Sequence, residues 1–283
     1  MVIKMGYQPA LVFDIGLHKG EDTNFYLRKG YKVIAFEASP DLVVACKNRF
    51  KDEIAAGRLH IVEGAITAEP GPGPIRFYKN EKTSVFGTIR PDWNSRNEAI
   101  GSGGEIIEVN RVDIAACLEK FGVPHFMKID IEGADTVVLN ALKGFDERPV
   151  YLSIESNKVD LNAVQKELDV LSALGYARFR AVQQAKIPKS RLTTTDIHGR
   201  EFTFVFEKHA SGPFGEDLRQ SWLSAEACMS AYKKIFKLYR AFGDESLFRK
   251  VPGGLRLRKL LEILWGHPLP GWYDTHAALP CAE

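Results

Sequence analysis

Three short stretches of the chain carry side chains that could bind a charged ligand or move a proton. The first runs Phe13-Asp14-Ile15-Gly16-Leu17-His18-Lys19-Gly20-Glu21-Asp22-Thr23. Glycines at a strand-to-helix turn let the backbone approach a ligand closely, and the helix N-terminus favours negative charge. A dinucleotide site would read G-x-G-x-x-G, with a pyrophosphate over that turn. Here the spacing is D-x-G-x-x-x-G, with an acid ahead of the first glycine. Asp14 serves a pyrophosphate poorly and a cationic ligand such as a sulfonium amino acid well. The plain alternative is an ordinary strand–helix loop.

The second stretch is Phe36-Glu37-Ala38-Ser39-Pro40. Glu37 follows Gly16 by the interval at which an acid accepts hydrogen bonds from ribose hydroxyls. Its bland reading is an exposed acid before a helix cap. Together the two stretches imply an adenosine-containing ligand. The third stretch is Lys128-Ile129-Asp130-Ile131-Glu132-Gly133-Ala134-Asp135. Crowding three carboxylates and a lysine at one strand end is unfavourable without a polar ligand or a metal. The helix dipole accounts for Glu132 or Asp135 but not for a lysine inside an apolar strand. An ion pair of Lys128 with Asp130 or Glu155 is the expected resolution.

The elements that must position these residues alternate between strand and helix. Ala10–Ile15, Val33–Ala38, Leu59–Ile66, His125–Ile131 and Val150–Glu155 read as strands. A polar helix ends at Gly30, and Ser39-Pro40 caps and opens a second, to about Lys51. A third carries Ala134, Val138 and Leu142, and a fourth, capped by Asp160, carries Leu161, Val164, Leu168 and Leu171. Such alternation means right-handed βαβ units and a parallel sheet. Residues 67–112 break the rhythm as an insertion, with short β-like runs at Ile75–Tyr78 and Ile106–Asn110 and a polar stretch around Trp93. Phe202–Glu207 is expected to pair with about Ala177–Val182 as a hairpin. After Ser211 no further strand is expected. Ser224 caps a helix with Cys228, Tyr232, Ile235, Phe236, Tyr239 and Phe242 on one face, and Leu255–Trp265 is a second amphipathic run.

The glycine turn, the Phe36–Pro40 strand end and the Lys128–Asp135 segment, in this order and spacing, closely resemble the FkbM family of S-adenosylmethionine-dependent methyltransferases. Val62-Glu63-Gly64-Ala65-Ile66 and Arg111-Val112-Asp113 resemble further blocks of that family. The resemblance covers about residues 10–207. It implies an α/β, Rossmann-like class I methyltransferase fold, with a mostly parallel seven-stranded sheet and an antiparallel last strand. A methyltransferase domain is then expected over 1–210, with a helical extension over 211–283 packed on it. The cofactor would be S-adenosyl-L-methionine. Asp14, Gly16, His18, Gly20 and Thr23 would meet its methionine half, Glu37 and Ala38 its ribose, Ala65 its adenine, and Asp130 its methyl end. The family acts mainly on hydroxyls of sugars and natural products.

An alcohol is a weak nucleophile at neutral pH, so its proton must be removed as the methyl arrives. Asp130, Glu132 and Glu155 are the candidate bases. A divalent metal acidifying the hydroxyl, held by Asp130, Glu155 and Asn157, is the second route, not the one expected. His18 reads as a positioning residue more than a base, and His276 is a more distant candidate. A nicotinamide-dependent oxidoreductase and a non-catalytic adenosyl-ligand binder are the alternatives in other classes.

Composition limits the partners. Lys+Arg is 38 against Asp+Glu 36, so the balance offers no basic excess for a nucleic-acid backbone. The cysteines, Cys46, Cys117, Cys228 and Cys281, form no C-x-x-C pair, which argues against zinc and against a disulfide framework. No apolar run has the length to span a bilayer, and a cytoplasmic location is the expectation. The oligomeric state is left open.

Overall fold

A computed structural model describes residues 6–68, 71, 73–79, 87–89, 105–131, 133–157, 160–242, 254–265 and 271–280. Glu132, Trp93 and Cys281 lie outside them. In chain order the elements begin with β1 (Tyr7–Ile15), α1 (Glu21–Arg28), β2 (Lys32–Glu37), α2 (Pro40–Arg49), α3 (Lys51–Ala55) and β3 (Leu59–Glu63). They continue with β4 (Ala65–Ile66), β5 (Ile75–Lys79), β6 (Glu105–Val109), β7 (Arg111–Val112), α4 (Ile114–Phe121), β8 (Val123–Ile129) and α5 (Asp135–Leu142). Then come β9 (Tyr151–Glu155), α6 (Leu161–Ala173), β10 (Arg178–Gln183), β11 (Arg191–Thr195), β12 (Glu201–Val205), α7 (Ala225–Phe242), α8 (Gly254–Trp265) and β13 (Tyr273–Ala278). One sheet of seven strands has the order β10-β13-β9-β8-β1-β2-β3. β1 pairs in parallel with β2 and β8, β2 with β3, and β10 runs antiparallel to β13. The expected mostly parallel sheet with an antiparallel last strand is therefore present.

The chain divides into two compact units, Met1–Leu152 with Leu192–Phe204, and Ser153–Arg191 with Val205–Glu283. In the first, β1 from Leu11 to Ile15 and β2 from Val33 to Phe36 are buried because Val12, Phe13, Ile15, Val33, Ile34 and Phe36 face protein on both sides, as parallel strands require. The α1 helix packs on these strands through Phe25, Tyr26 and Leu27. The β11–β12 pair closes over Phe25, whose ring meets Phe202 and Phe204 at 6.5 and 5.2 Å.

Three sequence expectations need correction. The run Leu59–Ile66 is two strands, because the chain bends at Gly64, whose φ is +143°. A Cβ there would sit 2.6 Å from the Asn110 carbonyl, and beyond the bend Ala65–Ile66 pairs with Arg111–Val112 rather than continuing β3. Phe202–Glu207 does not pair with Ala177–Val182. Its core, β12, pairs with β11 across a short turn in which Asp196 accepts from the His198 and Arg200 backbones, both at 2.9 Å. Closing that turn costs less entropy than closing the longer loop back to β10. Finally, strands do not stop at Ser211: β13 enters the main sheet. The Asp113-capped helix α4 was not read from sequence at all, although the side chain accepts from the Ala115 and Ala116 N–H groups at 2.9 and 3.2 Å.

In the second unit, α7 begins where the sequence placed it, with the Ser224 hydroxyl accepting from the Ala227 N–H at 3.3 Å. It buries Cys228, Met229, Tyr232, Ile235 and Phe236. Its Tyr232 hydroxyl joins Ser156 at 2.7 Å and Thr275 at 2.8 Å, and Ser156 joins Thr275 at 2.5 Å. This buried triangle ties α7, the end of β9 and β13 together. Tyr232→Phe removes one corner and leaves two buried hydroxyls short of a partner. It should lower unfolding free energy by about 1–3 kcal/mol, as read by urea titration.

Candidate functional site

The site residues of the first unit gather at the carboxyl ends of β1, β2 and β8. Register explains why: Asp14 lies opposite Lys128 and Ile15 opposite Ile129, so the two strands deliver their polar ends to the same place. Lys128 is buried, and its ammonium donates to the Gly16 carbonyl at 3.1 Å. Three carboxylates surround it: Asp22 at 3.2 Å, Asp130 at 3.4 Å and Asp14 at 3.6 Å. The expected Lys128–Asp130 pair is present, within a larger cluster. Burial opposes the charge on Lys128, but Asp14, Asp130 and Asp22 overcome it and hold the group well above the ordinary lysine range.

Asp14 is fully buried and accepts from the Thr23 hydroxyl at 2.6 Å. Burial pushes its carboxyl up to about 6, Lys128 pulls it down, and Asp22 and Asp130 push it up again. Its Oδ1 accepts no hydrogen bond. Of the three carboxylates, only Asp130 is open, with its side chain 39% exposed. Three carboxylates around one ammonium leave the cluster with surplus negative charge.

Gly16 has φ +96°, and its N–H donates to the Phe36 carbonyl at 3.1 Å. A Cβ at this position would collide with the Asp130 carbonyl. The glycine is thus demanded by the packing of β1 against the end of β8, whatever ligand the turn holds. Beyond it, His18 takes a left-handed φ of 52°. Its N–H donates to Glu37 Oε2 at 2.8 Å, while the Ser39 N–H donates to Oε1 at 2.9 Å. Glu37 is pushed up by burial, and these backbone donors act against that. Ser39 stands at the N-cap of α2 as expected, but its hydroxyl makes no capping bond. The His18 Nδ1 meets both oxygens of Glu21 at 3.1 Å. Burial would raise Glu21, yet its bond to His18 and that ring's charge hold it below the usual carboxylate range.

Ala38 and Ala65 also come together, in a small apolar cluster with Phe77 and Val109. Asp135 accepts from the Ile131 and Gly133 backbones, each at 3.2 Å, and so fixes the loop after Asp130. Glu155 ends β9 in the second unit, near enough to Tyr239 for its charge to raise that phenol. His276, the remote candidate, is buried within β13. Burial, then Arg180, pushes it down to about 3, so it stays neutral. Among the described residues no group of three or more His, Cys, Asp or Glu could hold a metal ion, and no helix is long and apolar enough to cross a membrane. The residues that sequence reasoning passed over are Glu21 and Asp22. Acids in a first helical turn carry no local sign that they are buried, and only the tertiary packing of α1 brings Asp22 to Lys128.

The family model described as the Methyltransferase FkbM domain matches residues 14–180, more than half of the chain. The chain belongs to this family. The match opens at Asp14 and takes in the whole FkbM-like cluster around Lys128. Similar solved structures include a methyltransferase FkbM from Methylobacillus flagellatus KT, 19% identical over 62% of this chain and 40% of that one, with a TM-score of 0.38. A precorrin-6y C5,15-methyltransferase from Geobacter metallireducens GS-15 is 12% identical over 72% of this chain and 78% of that one, with a TM-score of 0.35. No curated protein matches the chain.

Lys128→Met removes the ammonium that faces the buried carboxylates of Asp14 and Asp22. Losing one partner of a buried pair costs about 3–5 kcal/mol, so urea midpoints should fall steeply. Adding Asp22→Asn should return a measurable part of that loss. A double variant no more stable than Lys128→Met would sink the electrostatic account.

Proposed function

We propose that the chain transfers a methyl group from S-adenosylmethionine to a hydroxyl of a sugar, glycan or natural product. The observation that carries this reading is the surplus negative charge around Lys128, under a glycine turn and beside Glu37 at the next strand end. That donor set suits a ligand whose amino-acid end carries an ammonium and a sulfonium. A pyrophosphate would meet Asp14, Asp22 and Asp130, which is why a nicotinamide dinucleotide fits poorly.

In this reading the Gly16–Gly20 turn, with Asp14, His18 and Thr23, receives the methionine half, and Asp130 faces the methyl end. Glu37 is held in place by the His18 and Ser39 N–H groups, one on each carboxylate oxygen, and would accept from a ribose hydroxyl. Ala38 and Ala65 offer an apolar floor for the adenine. When bound, the cofactor supplies an electrophilic methyl group. The chain's own task is to align the acceptor oxygen and take its proton, for which Asp130, Glu132 and Glu155 are the candidates. The resemblance to the FkbM family supports a hydroxyl acceptor, and the 67–112 insertion and the 211–283 extension are where its selection would lie. Mass spectrometry of glycans and metabolites with and without the protein should show a gain of one CH2 unit.

S-adenosylhomocysteine should raise the melting temperature of the chain and NAD(H) should leave it unchanged. Stabilisation by NAD(H) alone would overturn the reading. A pH series gives a second check. Asp14 has a folded pKa above its ordinary value, so its ionisation opposes folding, from nothing at about pH 4 to its full extent above about 6. The unliganded protein gains stability in acid from this group, whereas a cationic ligand needs the charge. Affinity for S-adenosylhomocysteine, measured by calorimetry, should therefore fall as pH drops through about 6. Asp14→Asn should flatten that profile, with Lys128, Asp22, Asp130 and Thr23 unchanged around it.

A further inference from the structure

The near-balance of charge over the whole chain conceals a local excess. Between Lys233 and Lys259 the sequence carries nine Lys or Arg against two acids, Asp244 and Glu245. Part of that run is the outer face of α7, where Lys233, Lys234, Lys237 and Arg240 are exposed while Tyr232, Ile235 and Phe236 are buried. The run ends in α8, a helix of the same unit whose exposed side is of a different kind.

A helix of a folded domain normally turns its apolar side inward. In α8 the apolar side chains stand in solvent: Leu260 is 53% exposed, Ile263 69% and Leu264 72%. At about 3.6 residues per turn, these three share one side of the helix with Arg256 and Lys259, both exposed as well. The helix has a single acid, Glu262. That acid is spent on the other side, where it accepts from Arg258 Nε at 3.0 Å and both side chains are half-buried. The exposed side therefore combines aliphatic side chains with two cations and no acid.

That combination fits a surface that is anionic at its rim and apolar just beneath, as an acidic lipid bilayer is. Leu260, Ile263 and Leu264 suit the acyl boundary, while Arg256 and Lys259 reach back to the headgroups along their own apolar stems. The 12 residues of α8 give a length of about 18 Å against a hydrocarbon core of about 30 Å, so the helix would lie in the interface and not cross it. A nucleic-acid surface would match the cations but leave three aliphatic side chains unused. A second copy of the same face would bring like charges together. We propose that α8 is an interfacial helix by which the chain docks on an anionic membrane surface. The proposal depends neither on the cofactor nor on the methyl acceptor.

Flotation of the full chain with vesicles tests this, comparing phosphatidylcholine alone with phosphatidylcholine containing phosphatidylglycerol as the minor lipid. The chain should partition onto the anionic vesicles about ten-fold or more above the neutral ones. Arg256→Gln with Lys259→Gln should weaken that partition about twenty-fold, at roughly five-fold for each cation lost. Leu260→Gln, Ile263→Gln and Leu264→Gln together should weaken it by about ten-fold or more. These side chains are exposed, so melting temperatures should stay at the wild-type value. Ile263→Gln alone, with a loss of about three-fold, decides the matter if the triple variant does not fold. Partition that is absent, equal on the two vesicles, or unchanged in either set of variants overturns the interfacial helix. A chain that binds single-stranded RNA or self-associates through these residues, and leaves the vesicles bare, overturns it too.

Discussion

The buried ammonium of Lys128 is the constraint on which the first unit's site depends. A lone charge at that depth would be neutralised or expelled. It persists because Asp14, Asp22 and Asp130 converge on it from three separate segments and the Gly16 carbonyl accepts a hydrogen bond from it. Each of those segments is consequently fixed relative to β8. The strand end of β1, the first turn of α1 and the loop entering α5 cannot shift without leaving a charge unpaired. Since the carboxylates outnumber the ammonium, the cluster carries surplus negative charge, which under the proposed reading would favour a cationic ligand.

Glu37 plays the matching part at the end of β2. It accepts from the His18 and Ser39 backbones, so the turn after β1 and the start of α2 are locked to a common carboxylate. The left-handed conformations at Gly16 and His18 are the geometric consequence of folding the chain back onto that anchor. The glycine at position 16 has a reason inside the protein, the Asp130 carbonyl, that is independent of any bound molecule. A glycine-rich turn can thus be required by packing and by ligand approach together, because both need the backbone unshielded.

The second unit is organised by hydroxyls rather than charges. Ser156, Tyr232 and Thr275 bond one another, which lets the polar segment Asp274-Thr275-His276 run through the sheet interior. His276 tolerates that position by remaining neutral.

Much of the first unit was legible in the sequence. The apolar runs of β1, β2, β8 and β9 fixed their identity, the acid-glycine turn and the Lys128–Asp130 segment stood out as chemistry, and the FkbM resemblance followed from their order. Local signals suffice there because a parallel strand is buried on both faces and a helix cap is a matter of neighbouring residues. What sequence could not supply was partnership at a distance. Asp22 looks like a dipole-suited surface acid until the packing of α1 brings it within 3.2 Å of Lys128. Tyr273–Ala278 looks like a polar loop until Ser156 and Tyr232, far away in the chain, satisfy its hydroxyl. Phe202–Glu207 is recognisably a strand, but its partner was decided by the entropy of a short turn. By itself the sequence determined the family, the strand–helix order and the polar ends of the central strands. The tertiary structure alone decided which buried charges and hydroxyls complete one another, since their energies depend on distance through space and not along the chain.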